Sequence, residues 1–290
     1  MGLRTKFNLM LLITALLGVG LFAAASTPLL EGLAREDVLR SSRIMMESAA
    51  GTRKYTSEQI EPLLRTELKT TFHPQAVSAY AANKNFDVLR ARFTDYSYRE
   101  TALNPTNPAD RADDWEVDII EDFRNHPGKA EASVERVTPI GLTLNLARPI
   151  VAEPNCLVCH STAAAAPKSM LALYGFQNGF GWKRGEIIGA QVVTVPMAVP
   201  LARAARVRLL LLVPYVGVFL LLFVLLNVLL DMMVIGPIDR MTRTAEAVSR
   251  GDMDTPEYVR AGRDQIARLS TAINLMRRSL QEALRLLSEE

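Results

Sequence analysis

The sequence has little cysteine and little net charge, and each shortage removes a class of function. Only two cysteines occur in 290 residues, which excludes a structural zinc site built from two cysteine pairs. The formal net charge is +2, so charge gives no argument for nucleic acid or for any other strongly charged partner. Hydrophobic residues make up 49% of the chain and charged residues 22%. This balance excludes both a disordered tail and a protein made almost entirely of membrane spans.

Charge is missing altogether from two long stretches. Residues 7–25 follow a short basic head, and residues 209–230 follow a group of arginines. Each stretch is long enough to cross a bilayer as a helix, although Pro214 and Asn227 interrupt the second. The first could instead be a signal peptide cleaved among the small residues 23–26. We interpret it as an uncleaved anchor, because it exceeds a typical signal core and the second span needs a partner.

Two spans leave the long segment between them on one side of the membrane. A loop of that length is translocated largely regardless of its own charge, so the short ends set the orientation. Arg4 and Lys6 favour a cytoplasmic N-terminus, and Arg240 and Arg243 follow the second span. We therefore predict a two-pass protein of the bacterial inner membrane. The predicted segments are a cytoplasmic N-terminus (1–6), two spans (7–25 and 207–235), a periplasmic domain (26–206) and a cytoplasmic tail (236–290).

Both cysteines stand in one short motif, Cys156-Leu157-Val158-Cys159-His160. The pattern C-x-x-C-H is the attachment motif of c-type haem, in which the adjacent histidine coordinates the iron and both thiols bond covalently to the porphyrin. One motif predicts one covalent haem c per chain, and the motif lies in the periplasmic segment where such haem is attached. A structural disulfide and a redox-active cysteine pair are the alternatives.

No motif identifies the second axial ligand of that iron. Met46, Ala49 and Arg53 are spaced to share one helix face, which could present the Met46 thioether to iron and the Arg53 guanidinium to a haem propionate. His73 and His126 precede prolines and are typical of exposed loop residues. The rivals to Met46 are Met45, Met170 and Met197, and an open or water-bound site is an equal alternative.

Helical and strand patterns follow one another in the periplasmic segment. We predict helices at 28–64, 77–89 and 113–123, the last of them amphipathic. Segments rich in valine and isoleucine predict strands at 133–139, 142–151 and 186–199. Runs of helices followed by strands favour an α+β domain, an antiparallel sheet with helices on one side.

Several short motifs in this region resemble, in the same order, those of a known family. They are Arg53-Lys54-Tyr55-Thr56, Pro62-Leu63-Leu64, the Asn104–Pro108 turn with Trp115-Glu116, Arg148-Pro149-Ile150, Cys156–Ser161, Tyr174-Gly175, Gly179–Lys183, Gly189-Ala190 and Val195-Pro196-Met197. Residues 30–200 are thus similar to the PAS-like periplasmic haem sensors first catalogued as a domain of unknown function. The resemblance implies a haem cradled by a PAS-like sheet and a sensory role. Some relatives place a cysteine sulfur on the far side of the iron, and this chain has no cysteine there.

The tail carries two heptad segments. Apolar residues from Ile238 to Val248 alternate steps of three and four, and residues 266–287 repeat the pattern. With Pro237 before the first segment and Asp264-Gln265-Ile266 opening the second, the pair resembles a HAMP linker, although relatives more often have Glu at position 265. The resemblance implies a parallel dimeric four-helix bundle that switches between two packings. An amphipathic pair packed on another surface is the alternative.

The sequence as a whole predicts a dimeric transmembrane haem sensor that is not an enzyme. Its fold would be α+β, with a PAS-like haem domain between two transmembrane helices and then a coiled-coil HAMP linker. A redox or diatomic-gas signal would cross the membrane to a separate cytoplasmic kinase, cyclase or chemotaxis-type protein, because the sequence ends at residue 290. The main alternative is a membrane-anchored periplasmic electron-transfer cytochrome, for which a single anchor would suffice. A peroxidase would need a distal acid–base pair, and none stands out.

Overall fold

A computed structural model describes residues 2–139, 141–252 and 254–288. Met1 in the predicted N-terminal segment, Met253 between the two predicted heptad segments and Glu290 at the end of the predicted tail lie outside the described residues. The chain divides into two compact units. One is Thr27–Val207, called here the sheet unit, and the other combines Met1–Ser26 with Arg208–Glu290, called here the terminal unit.

The sheet unit is built on four antiparallel strands. They are β1 (Ser97–Ala102), β2 (Ala132–Thr138), β3 (Gly141–Val151) and β4 (Ile187–Pro196), and their spatial order is β1-β4-β3-β2. The three later strands confirm the predicted ones with small shifts at their ends. The sequence prediction missed β1, since Ser97-Tyr98-Arg99-Glu100-Thr101-Ala102 carries two charges and lacks the valine and isoleucine of the other strands.

Nine α-helices occur in the described residues. They are α1 (Leu3–Tyr55), α2 (Glu61–Leu64), α3 (Ser78–Arg90), α4 (Asp114–Asn125), α5 (Leu157–His160), α6 (Lys168–Tyr174), α7 (Ala198–Leu230), α8 (Gly236–Ser249) and α9 (Gln265–Ser288). The predicted helices at 77–89 and 113–123 correspond to α3 and α4. Helix α4 begins with a capping box, in which Asp113 and Glu116 each accept from the other's backbone amide.

The predicted helix at 28–64 is continuous with the first apolar stretch in the structure. Helix α1 passes Pro28 without ending and stops only at Tyr55. A π-helical turn at Thr56–Ile60 then separates it from α2. Such turns insert one residue into the α-helical register and so rotate the following side chains.

Both faces of the sheet are covered by helices. On one face, residues of α1 and α3 pack on alternate strand residues, with Met46 and Phe86 against Leu146 and Val193. On the other face, Ile120 and Phe123 of α4 pack on Ala147 and Val192. The predicted one-sided arrangement is therefore wrong. The physical reason is that β4 is apolar at successive positions, as at Val192 and Val193, so both of its faces require cover.

The terminal unit contains the apolar parts of α1 and α7. Both belong to helices long and apolar enough to cross a membrane. The two helices contact at Gly18, whose carbonyl lies 3.4 Å from the Tyr215 hydroxyl, while Phe22 stacks on the Tyr215 ring at a centroid distance of 4.7 Å. After α7, a second π-helical turn at Asp231–Ile235 leads directly into α8.

Candidate functional site

A single turn of helix presents both thiols of the chain. Cys156 precedes α5 and Cys159 lies within it, and the amides of Cys159 and His160 both donate to the Cys156 carbonyl, at 3.3 and 3.0 Å. This i, i+3 spacing puts the two sulfurs on one side of the turn. Both cysteines are free and partly buried, and burial raises the pKa of the Cys159 thiol. The turn can therefore offer two neighbouring thiols and one imidazole to the same ligand.

The imidazole of His160 is held in one orientation by the chain. Its Nδ1 lies 2.7 Å from the Gly179 carbonyl oxygen and 3.3 Å from Thr106 Oγ1. A carbonyl oxygen only accepts, so Nδ1 carries the proton and the lone pair is on Nε2. Burial lowers the pKa of His160, although the bond to Gly179 acts in the opposite direction. A neutral, oriented imidazole with a free Nε2 is the form that binds a metal ion.

The segment 179–182 completes the support of that imidazole. The Trp182 indole stacks on the His160 ring at 4.0 Å between centroids and 12° between planes. The Gly181 amide donates to the Ser161 carbonyl at 3.1 Å, and the Trp182 amide donates to the His160 carbonyl at 3.3 Å. Gly179 has a φ of +80°, and a Cβ there would collide with Thr106. Glycine is thus required where the carbonyl has to face His160.

A buried ion pair lies close to this turn. The Arg53 guanidinium pairs with the Glu100 carboxylate, and the Tyr98 hydroxyl donates to the other Glu100 oxygen at 2.8 Å. Burial lowers the pKa of Arg53, but the charge and hydrogen bond of Glu100 raise it more, and the charge of Cys156 adds to the rise. Arg53 is therefore a fixed cation near the thiol motif, and its role at a propionate stays a prediction.

The predicted axial ligand lies deeper in the protein. Met46 is fully buried among the apolar residues that α1 and α3 pack on the sheet. Among its rivals, Met197 is also fully buried, Met170 is 3% exposed and Met45 is partly buried. His73 and His126 each contact a carboxylate, of Glu67 at 2.8 Å and of Asp122 at 3.0 Å. The role of Met46 stays a prediction.

Sequence reasoning missed the residues that position His160. Thr106 and Gly179 both fall in stretches that carried the family resemblance, but neither has a reactive group that would mark it. The signal that could have found them is the pattern Gly179-Phe180-Gly181-Trp182, where two glycines in four residues indicate unusual backbone angles. Glu100 and Tyr98 were missed because strand β1 was missed.

Two segments of the chain match known protein families. A model of the Tll0287-like family matches residues 31–196, and a model of the HAMP domain matches residues 232–282. Among solved structures, the crystal structure of the cyanobacterial haem-protein Tll0287 matches 55% of this chain and 95% of its own, at 17% identity and a TM-score of 0.45. No curated protein matches the chain. The two resemblances read from residue motifs are confirmed, because the family matches cover the same regions in the same order.

Proposed function

This chain belongs to the Tll0287-like family, and from that premise we propose that it is a membrane-anchored haem sensor. It senses a redox change or a diatomic gas at a covalently attached haem c and passes the signal through its HAMP domain to a downstream kinase, cyclase or chemotaxis-type partner. In this proposal the protein transmits a signal and does not catalyse a reaction.

The orientation of His160 is the observation that carries this proposal. Its Nδ1 donates to the Gly179 carbonyl at 2.7 Å, which leaves Nε2 free beside two thiols on one helical turn. The donor set therefore suits an iron porphyrin held by two thioether bonds and one imidazole. Among the described residues there is no group of three or more His, Cys, Asp or Glu side chains that could hold a metal ion by themselves, which fits a cofactor that brings its own metal ligands.

Each residue near the motif has a distinct part in this proposal. Cys156 and Cys159 would hold the porphyrin through thioether bonds, and His160 would ligate its iron. Arg53 provides a positive charge for a propionate, with Glu100 fixing the guanidinium. Bound haem supplies an iron that changes its oxidation state or takes a diatomic ligand. In our proposal Met46 would be the second protein ligand of the iron, with an open or water-bound iron as the alternative outcome.

The signal leaves the sheet unit through the strand that continues into the second span. Strand β4 lies in the middle of the sheet and ends at Pro196, and α7 begins at Ala198. A change near the haem that shifts β4 would reach the terminal unit along a continuous helix. A coupling of roughly 1–3 kcal/mol between two packings of the HAMP helices suffices for a clear response.

The basic residues at the short ends support the orientation of the proposed topology. With Arg4 and Lys6 inside the cytoplasm, residues 26–206 are periplasmic and residues 236–290 are cytoplasmic. The spans are at 7–25 and 207–235, in a bacterial inner membrane. This places haem attachment outside the cytoplasm and the HAMP domain inside it.

An absorption spectrum of the full chain tests the haem site. Expressed with the cytochrome maturation machinery, the purified protein should retain haem on a denaturing gel, seen as haem-linked peroxidase stain. The double variant Cys156→Ser/Cys159→Ser should lose that stain. A His126→Ala control, in which both cysteines are intact, should keep the stain. Spectra of the oxidised and reduced protein, with and without CO or NO, identify an open site. A wild-type chain without covalent haem would refute the proposal.

A chimaera separates a sensor from an electron carrier. The HAMP domain is fused to a kinase of known output, and kinase activity is compared between oxidised and reduced haem. A sensor changes the output, whereas a carrier transfers electrons without changing it. If haem state never alters the output of the wild-type chimaera, the sensor function is refuted even when haem is present.

A further inference from the structure

One backbone carbonyl at the exit of the second span lacks its regular helical donor. In an α-helix the Met233 carbonyl would accept from the amide of residue 237. That residue is Pro237, which has no N–H. The same segment forms the π-helical turn Asp231–Ile235, where the Gly236 amide donates to the Asp231 carbonyl instead. The Met233 carbonyl is thus available to a partner from another segment.

That partner is Arg260, which belongs to the connector between α8 and α9. Its Nη1 donates to the Met233 carbonyl oxygen at 2.9 Å. Its Nη2 lies 3.3 Å from a carboxylate oxygen of Asp264, and the side chain is only 20% exposed. The other Asp264 oxygen accepts from the Ala267 amide at 2.7 Å and so caps the start of α9.

The connector is also fixed along α9 by hydrogen bonds of its backbone and side chains. The Tyr258 carbonyl accepts from the side chains of Ser270 and Asn274, the latter at 3.0 Å. Glu257 pairs with Arg278 through two hydrogen bonds, of 2.7 and 2.9 Å. The connector and α9 therefore form one body, and Arg260 joins that body to the turn that follows the second span.

We propose that Arg260 is the positioning residue that couples the exit of the second span to the second HAMP helix. Its guanidinium links the Met233 carbonyl to the Asp264 cap, so a displacement of the π-helical turn is transmitted to α9 without passing along α8. A planar guanidinium suits this task because it can donate in two directions at once. The inference rests on the proposed sensor function.

Hydrogen–deuterium exchange on the detergent-solubilised full chain tests the contact itself. Arg260→Gln removes the bridging charge, and Arg263→Gln removes an exposed arginine of the same connector as the matched control. We expect amides in residues 254–263 to exchange about tenfold faster in Arg260→Gln, the effect of losing one hydrogen bond from a charged donor. Arg263→Gln should exchange like the wild type. Equal exchange in the two variants would overturn the proposal.

The kinase chimaera tests the coupling. In Arg260→Gln the ratio of kinase activities between the two haem states should fall about tenfold toward unity, while Arg263→Gln keeps the wild-type ratio. Pro237→Ala returns an N–H to the Met233 carbonyl, so adding Arg260→Gln to it should change the ratio little further. A responsive wild type with a fully responsive Arg260→Gln overturns the role of Arg260 alone. An unresponsive wild type refutes the sensor function together with this inference.

Discussion

At the scale of the residue, the candidate site depends on groups without reactivity of their own that fix the orientation of the His160 imidazole. The orientation of His160 is set by the Gly179 carbonyl oxygen and the Thr106 hydroxyl, and the backbone angle of Gly179 turns its carbonyl toward the ring. The motif C-x-x-C-H predicts which residues react, but it does not say what fixes the ring. A substitution at Gly179 should therefore disturb the orientation of the His160 ring while leaving the reactive groups of the motif unchanged.

Gly179→Ala should destabilise the site more than Gly181→Ala. Both glycines have φ near +80°, so each substitution carries the strain of a left-handed alanine, about 1–2 kcal/mol. Only at 179 does the new Cβ also collide with Thr106, since nothing lies within 4 Å of a Cβ at 181. The measurement is the yield of covalent haem per chain, with the free energy of unfolding. Equal losses in the two variants would contradict a specific role for the Gly179 carbonyl.

Glu100→Gln should lower the free energy of unfolding by roughly 2–4 kcal/mol, because it leaves the Arg53 guanidinium without its buried partner. Glu47→Gln is the matched control, since that carboxylate is 67% exposed and its pair with Arg148 is worth less than about 1 kcal/mol. Both tryptophans, Trp115 and Trp182, lie in the sheet unit, so urea unfolding of the full chain can be followed by their fluorescence. Similar losses in the two variants would count against a special role for the buried pair.

At the scale of the element, periodicity predicted the later strands and most helices, but not that helices cover both faces of the sheet. Strands β2, β3 and β4 were predictable because valine, isoleucine and leucine mark them. Strand β1 was not, because its charged residues are stabilised by distant partners, such as Arg53 for Glu100. The π-helical turn after Tyr55 could not be predicted either, since no local residue pattern specifies an added helical residue. The PAS-like description of the sheet stays a prediction.

The two apolar helices make a contact that a single glycine permits. A Cβ on Gly18 would lie 3.0 Å from the Phe219 ring and 3.5 Å from the Tyr215 hydroxyl. Small residues allow this kind of close approach between helices in lipid. Gly18→Leu should therefore lower the thermal midpoint of the detergent-solubilised chain, measured by circular dichroism. Gly20→Leu is the control on the same helix, because nothing lies within 4 Å of a Cβ there. If the thermal midpoint of Gly20→Leu falls as far as that of Gly18→Leu, the loss is a general effect of leucine in this helix.

At the scale of the whole molecule, the family matches and the two helices long and apolar enough to cross a membrane give an order of parts: apolar helix, sheet unit, apolar helix, HAMP domain. Every long helix that leaves the sheet unit continues into an apolar stretch. α1 does so without a break, and α7 starts two residues after β4 ends. The backbone therefore passes between the sheet unit and each apolar stretch within a helix. That continuity favours signalling over simple anchoring.

The HAMP helices leave an apolar groove, which the predicted dimer would bury against a second copy of the chain. It is lined by residues of both helices, including Ile238, Met241, Ala245, Leu269 and Ile273. In a parallel bundle this seam is buried, so a charge within it should prevent association. Ile273→Glu should make the detergent-solubilised full chain monomeric in light scattering, whereas the wild type should be dimeric. Ala272→Glu places the same charge on the exposed neighbouring position and should remain dimeric. A monomeric wild type would refute the predicted dimer, and a dimeric Ile273→Glu would place its interface outside the HAMP seam.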